Sequence, residues 1–148
     1  KGKAFLPKQA EIVSLEIVEF QPPVPQAPVF HQAEITFLDD PETENFYLIR
    51  YVLNGFPLSE SYFTFPDISF SDTIQLANPR LSFEYGDLVE VQVFSIDEPL
   101  SVFYSQLSQA LGGGMAMSST PYNPTSNIEG AMGYFAAWSY VSDTVRVD

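Results

Sequence analysis

The 148-residue chain has no cysteine and a single histidine, His31. The first absence removes disulfides, cysteine-type zinc clusters and thiol catalysis together. The second leaves a histidine metal site without a second imidazole. A Ser-His-Asp triad would have to be built around His31, at the point where a proline-rich loop enters a strand pattern, and no Gly-x-Ser-x-Gly elbow offers a nucleophile. Basic residues are also scarce: six Lys and Arg stand against 19 Asp and Glu, for a net charge of −13. No lysine follows Lys8, and only Arg50, Arg80 and Arg146 lie beyond it. Phosphate binding rests on neutralisation by Lys and Arg, so no nucleic-acid partner is expected. An anionic membrane surface is disfavoured by the same charge, which favours solubility and attracts cations or basic partners. No 18-residue apolar run is present, so neither a signal peptide nor a spanning helix is in view. With lysine in the first position, the chain reads as a mature or trimmed piece.

What is abundant is apolar and aromatic. Hydrophobic residues make up 45%, with 13 Phe, 8 Tyr and one Trp, too many for a disordered tail. A chain of this length suits one domain, residues 1–148, and buries roughly 70% of its unfolded surface without covalent staples. The first strand is expected from about Glu11 to Phe20, with Val13, Leu15 and Ile17 alternating against Ser14 and Glu16. Residues 22–28 carry four prolines, which cannot donate to a ladder, and read as an extended polyproline connection. Ala33, Ile35 and Phe37 mark a second strand. Asn45 to Leu53, apolar on both faces apart from Arg50, reads as a central one. Asn54-Gly55 is a hairpin turn signal. Phe56 to Ser71 is too broken by Pro57 and Pro66 for one long strand. Short strands are expected at Thr73 to Ala77 and at Leu81 to Tyr85, the latter with Leu81, Phe83 and Tyr85 inward.

From Tyr85 to Val141 the pattern changes type three times. In Gly86 to Phe94 the valines 89, 91 and 93 share one face and Glu90 and Gln92 the other. Ser95 and Glu98 have capping-box spacing, and Pro99 falls in a first turn, where no helical bond is lost. Leu100, Phe103, Tyr104, Leu107, Ala110 and Leu111 then repeat at three and four, predicting an amphipathic helix over about 96–111. Gly112, Gly113 and Gly114 end it. An aromatic strand, Gly133 to Val141, and a short Thr144 to Val147 strand close the chain. The expected architecture is all-β: a two-sheet, fibronectin- or immunoglobulin-like sandwich of about seven to eight strands with one α-helix in a crossover.

The run Gly86-Asp87-Leu88-Val89-Glu90-Val91-Gln92-Val93, then Ser95-Ile96-Asp97-Glu98 leading the helix, then Asn123-Pro124, Asn127-Ile128 and Gly130-Ala131-Met132-Gly133-Tyr134-Phe135 resembles the C-terminal half of a Bacteroidetes envelope lipoprotein family, domain of unknown function 4249. Asp39-Asp40-Pro41 and Asn45 to Tyr51 are similar to that family's acidic turn and aromatic strand, so the likeness spans roughly residues 10–145. It implies residence in the cell envelope, a lipid anchor upstream of Lys1 and association with outer-membrane uptake systems. It carries over no catalytic residues.

Two places merit attention as sites. Asp39, Asp40, Glu42 and Glu44 crowd one turn, and hard oxygen ligands so close are a candidate Ca²⁺ site, although EF-hand spacing is absent; a solvated acidic turn is the plainer reading. Tyr62, Phe63, Phe65 and Tyr122 are candidates for stacking a glycan or other small ligand, against a reading in which the Phe residues complete the core. Trp138 is assigned to the core, and paired carboxylates for glycoside hydrolysis carry little weight among 19 acids. The expected function is a non-catalytic, extracytoplasmic binding or assembly module with an envelope protein partner such as a transporter. Glycan binding is the alternative, a hydrolase the remote one, and no cofactor other than Ca²⁺ is expected.

Overall fold

The computed structural model describes residues 4, 6–58, 63–66, 72–110, 128–129 and 136–148. Among the described residues, eight strands and one helix run in the order β1 (Glu11–Phe20), β2 (Phe30–Leu38), β3 (Phe46–Leu53), β4 (Phe56–Pro57), β5 (Phe63–Pro66), β6 (Thr73–Ala77), β7 (Leu88–Ile96), α1 (Glu98–Ala110) and β8 (Ser139–Arg146). They form two antiparallel sheets. One has the order β1-β2-β6, and the other β4-β3-β7-β8, with β5 also pairing β3. This is the two-sheet sandwich expected from the alternating patterns, with three strands in one sheet and five in the other.

The core lies between the inner faces. Ala33, Ile35 and Phe37 come from β2, Tyr47, Ile49 and Tyr51 from β3, and Val89, Val91 and Val93 from β7, all buried. Each trio sits at alternate positions, as the two-residue period requires. β3 pairs with β7 along its whole length and with β4 and β5 on its other edge, which accounts for its apolar character.

Several boundaries differ from the sequence expectation, each for a local reason. In β1 the register shifts between Ile12 and Ser14, so Ile12 joins the core and Val13 stands exposed. The proline-rich connection is not simply extended: Val24 N–H donates to Pro22 O at 2.8 Å and Ala27 N–H to Val24 O at 3.1 Å, with Gln26 at φ 65°. Leu81 to Tyr85 is no strand. Phe83 makes one bridge to His31 and is buried, while Tyr85 is 70% exposed with its ring edge on His31. β7 runs on through Ser95 and Ile96, which pair with Tyr47 and Phe46. The helix cap is therefore Asp97, whose Oδ1 accepts from Leu100 N–H at 3.0 Å; Ser95 is buried inside the strand. Pro99 lies in the first turn as expected. The helix does not carry the chain between sheets, because it stands in the β7–β8 connection and these strands are neighbours. The closing aromatic strand and the short last strand are one element, β8, with residues 136–138 outside it. Gly112 to Gly114 and 133–135 lie outside the described residues.

Asn54 and Gly55 adopt φ 50° and 87°, the left-handed pair of a tight hairpin turn. Asn54 also reaches β7: its Nδ2 donates to Asp87 Oδ1 at 2.9 Å, and Leu88 N–H donates to its Oδ1 at 2.9 Å. The Glu84 N–H, and after it this Asn54 amide, hold the Asp87 carboxyl below the usual aspartate range. A Cβ at Gly55 would meet nothing within 4 Å, so Gly55→Val tests backbone conformation alone. It is expected to lower stability by about 1–2 kcal/mol, read from the thermal midpoint.

On the outer face of the first sheet Glu16 lies directly opposite Glu34, which accepts from Gln75 Nε2 at 2.6 Å. Like charges in register repel. Glu16→Lys is expected to raise stability by about 0.5 kcal/mol, a gain that shrinks as salt is added.

Candidate functional site

The outer face of the second sheet is ordered in rows, because residues paired across antiparallel strands share a face. Leu48, Phe94 and Tyr140 form one row, Arg50, Gln92 and Ser142 the next, and Val52, Glu90 and Thr144 the third. On the β3 and β7 side the face is closed: Leu48, Val52, Gln92 and Phe94 are all buried. The helix contributes to this, with Leu100 buried against Leu48, Phe94 and Ile96, and Phe103 and Tyr104 packed alongside.

The β8 side is open. Tyr140 is 52% exposed and stacks on Phe94 at 5.2 Å between centroids, with 24° between planes. Trp138, two residues earlier, is 47% exposed and meets Phe94 edge-on at 6.3 Å. The core assignment of Trp138 is thus corrected: the chain at 136–138 has not yet entered the ladder, and the ring lies over the outer face rather than between the sheets. Ser142 and Thr144 continue the open column, both exposed. Beside them runs a polar chain of fixed geometry. Arg50 Nε donates to Gln92 Oε1 at 2.6 Å, and Gln92 Nε2 donates to Glu90 Oε1 at 2.7 Å. The Arg50 guanidinium also sits 5.2 Å from the centre of the Phe94 ring, a cation–π contact. Phe94 is therefore the shared floor beneath two half-exposed rings and a cation.

The residues singled out from sequence fare differently. Tyr62 and Tyr122 lie outside the described residues. Phe63 and Phe65 belong to β5, in register with Ile49 and Tyr47, and their side chains lie outside what is described. The acidic turn separates into parts. Asp39 turns inward and its Oδ1 accepts from the Tyr47 hydroxyl and, at 3.0 Å, from Asn45 Nδ2. Asp40 Oδ1 accepts from Glu42 N–H at 3.0 Å, while Glu42 and Glu44 are exposed. Asn45 Nδ2 also donates to Asp40 O and Thr43 O, so the loop is braced by an amide. No group of three or more His, Asp or Glu placed to hold a metal ion occurs among the described residues. His31 is buried, its Nε2 3.7 Å from Glu19 Oε1.

The family model for a domain of unknown function, DUF4249, matches residues 4–144. The chain belongs to this family. No curated protein and no solved structure matches it. In this DUF4249 domain, no helix among the described residues is long and apolar enough to cross a membrane.

A signal for the open face was present in the DUF4249 chain. Val141 and Val145 alternate with Ser142 and Thr144, the mark of a strand wet on one side. Tyr140 shares the parity of the wet set, and so does Trp138. What the alternation could not supply was the floor, since Phe94 and Arg50 arrive from strands 46 and 90 residues earlier in the chain than Tyr140.

Proposed function

We propose that this domain is a non-catalytic binding module of a cell-envelope lipoprotein, of the Bacteroidetes type its sequence resembles. A lipid anchor upstream of the domain would hold it at the outer membrane, where it works beside an uptake system and its transporter. The observation that supports binding is the β8 face, where Trp138 and Tyr140 stand half-exposed on a floor fixed by Phe94 and the β3–β7–β8 ladder. Large rings held open on a rigid sheet supply contact area at little ordering cost. The acidic chain would favour neutral or basic partners over anionic ones.

The reading is tested with a photo-crosslinking residue at Ser142, in the open column, and the same residue at Glu16 on the opposite sheet. In intact envelopes the Ser142 position is expected to give a discrete adduct, protein or glycan, that the Glu16 position does not. Equal labelling from both positions, or none from either, would count against a binding face here.

A further inference from the structure

We propose that the β8 face binds a neutral glycan built of pyranose rings. This rests on the reading of that face as a binding surface and names its ligand class. The chemistry on the face is of two kinds set in line. Trp138 and Tyr140, two residues apart in the chain, both stand half-exposed against Phe94, Tyr140 stacked at 24° and Trp138 edge-on at 73°. Ser142 and Thr144 follow with exposed hydroxyls, and the half-buried Glu90 carboxylate flanks them, accepting at 2.7 Å from the buried Gln92, which in turn accepts from Arg50 at 2.6 Å. A pyranose is built the same way. Its axial C–H face is apolar and lies flat on an aromatic ring, while its edge carries hydroxyls that both donate and accept. A linear oligosaccharide would place successive units along the column, rings first and hydroxyls after.

A protein partner fits this face less well. Protein-docking surfaces centre on a well-packed apolar patch with a polar rim. Here the aliphatic residues of β8, Val141 and Val145, pack against the core between the sheets, and the open column offers two rings and then polar groups. Charge narrows the class further. Against a net charge of −13, the cations on this face among the described residues are Arg50, bonded to Gln92 and lying over the Phe94 ring, and Arg146 at the far end of β8, whose Nη1 donates to Gly86 O at 2.9 Å. A polyanionic glycan would meet net repulsion, and a neutral one would not.

Trp138 is the only tryptophan, so its fluorescence reports on the site alone. The intact chain is titrated with neutral linear hexasaccharides (cellohexaose, laminarihexaose, maltohexaose, xylohexaose and mannohexaose) and with hexagalacturonate. At least one neutral sugar is expected to give a saturable change, with hexagalacturonate at least about tenfold weaker. Tyr140→Ala is expected to raise Kd about tenfold, the value of one lost stacking contact. Ser142→Arg, an exposed change that leaves the floor untouched, is expected to block the column to the same degree, and Glu16→Gln to change nothing. Tighter binding of hexagalacturonate than of every neutral sugar would overturn the proposal. So would an unaltered Kd in Ser142→Arg. Silence with all neutral sugars while the Ser142 crosslink captures a protein would overturn the glycan and leave the binding module standing; silence in both would remove the two together.

Discussion

Replacing Tyr51 with alanine is expected to remove about 3–5 kcal/mol of stability, out of the roughly 5–15 kcal/mol that holds a typical domain folded. Tyr51 is fully buried in the middle of β3, opposite Val91 of β7, and its ring stacks with Phe83 at 6.3 Å between centroids. Its hydroxyl crosses to the other sheet and donates to Ala33 O at 3.4 Å. Truncation would therefore open a cavity where both sheets and the β6–β7 connection meet. Urea denaturation should show a lower midpoint with an unchanged slope, and a loss under about 1 kcal/mol would place the ring outside the cooperative core. Tyr51→Phe separates ring from hydroxyl and should cost about 1 kcal/mol at neutral pH. Alkali distinguishes the two variants further. Burial pushes the phenol up from 10.0 to about 12, against the smaller opposing effect of a hydrogen bond from the Asn78 backbone. The folded state thus holds this proton more tightly than the unfolded chain. Its contribution is complete below pH 10 and is lost as pH climbs through about 12, by about 2–3 kcal/mol in all. The advantage of the parent over Tyr51→Phe should close in that window and then reverse.

How far the fold can be read from residues depends on whether a pattern has a partner. β1 and β6 fall at Glu11–Phe20 and Thr73–Ala77, as their alternation and flanking turn residues indicate. Leu81 to Tyr85 alternates just as well, yet only Phe83 finds a bridge, and without a ladder the segment stays a loop. The helix start is a second case. Ser95 to Glu98 and Asp97 to Leu100 have the same spacing, so local chemistry admits either cap. The choice is made by Phe46 and Tyr47, which extend β7 through Ile96 and leave Asp97 as the first free cap. The open β8 face was legible only in half. Parity puts Trp138 and Tyr140 on the wet side of β8, but the buried Phe94 and the Arg50–Gln92–Glu90 chain that give the face its shape are assembled by register between distant strands. For the acidic turn, four carboxylates adjacent in sequence do not converge, because Asp39 is drawn under the turn by Tyr47 and Asn45.

Leu100→Ala is expected to cost about 2–5 kcal/mol, and to do so unevenly. A 13-residue helix is too short to persist on its own, so α1 depends on its docking to the sheet. Among the described helix side chains Leu100 is the most fully buried, in a cluster with Leu48, Phe94 and Ile96 that lies apart from the core between the sheets. Removing it should free α1 first. Hydrogen exchange is expected to accelerate across residues 98–110 while the β7 amides of Val89 to Val93, anchored on the other face, keep their protection. Val102→Ala, on the exposed side of the same helix, should change stability by less than about 0.5 kcal/mol. The consequence reaches the proposed binding face through one ring. Phe94 is packed by Leu100 from the helix side and carries Trp138, Tyr140 and Arg50 at the sheet edge. A loosened helix would leave that floor free to shift, and the Leu100 variant should bind the neutral hexasaccharide more weakly although Leu100 takes no part in the open column. Uniform acceleration of exchange in helix and sheet together would instead show that α1 and the sandwich unfold as one unit. Unchanged binding in a variant whose helix has loosened would show that Phe94 is held by the β-ladder alone.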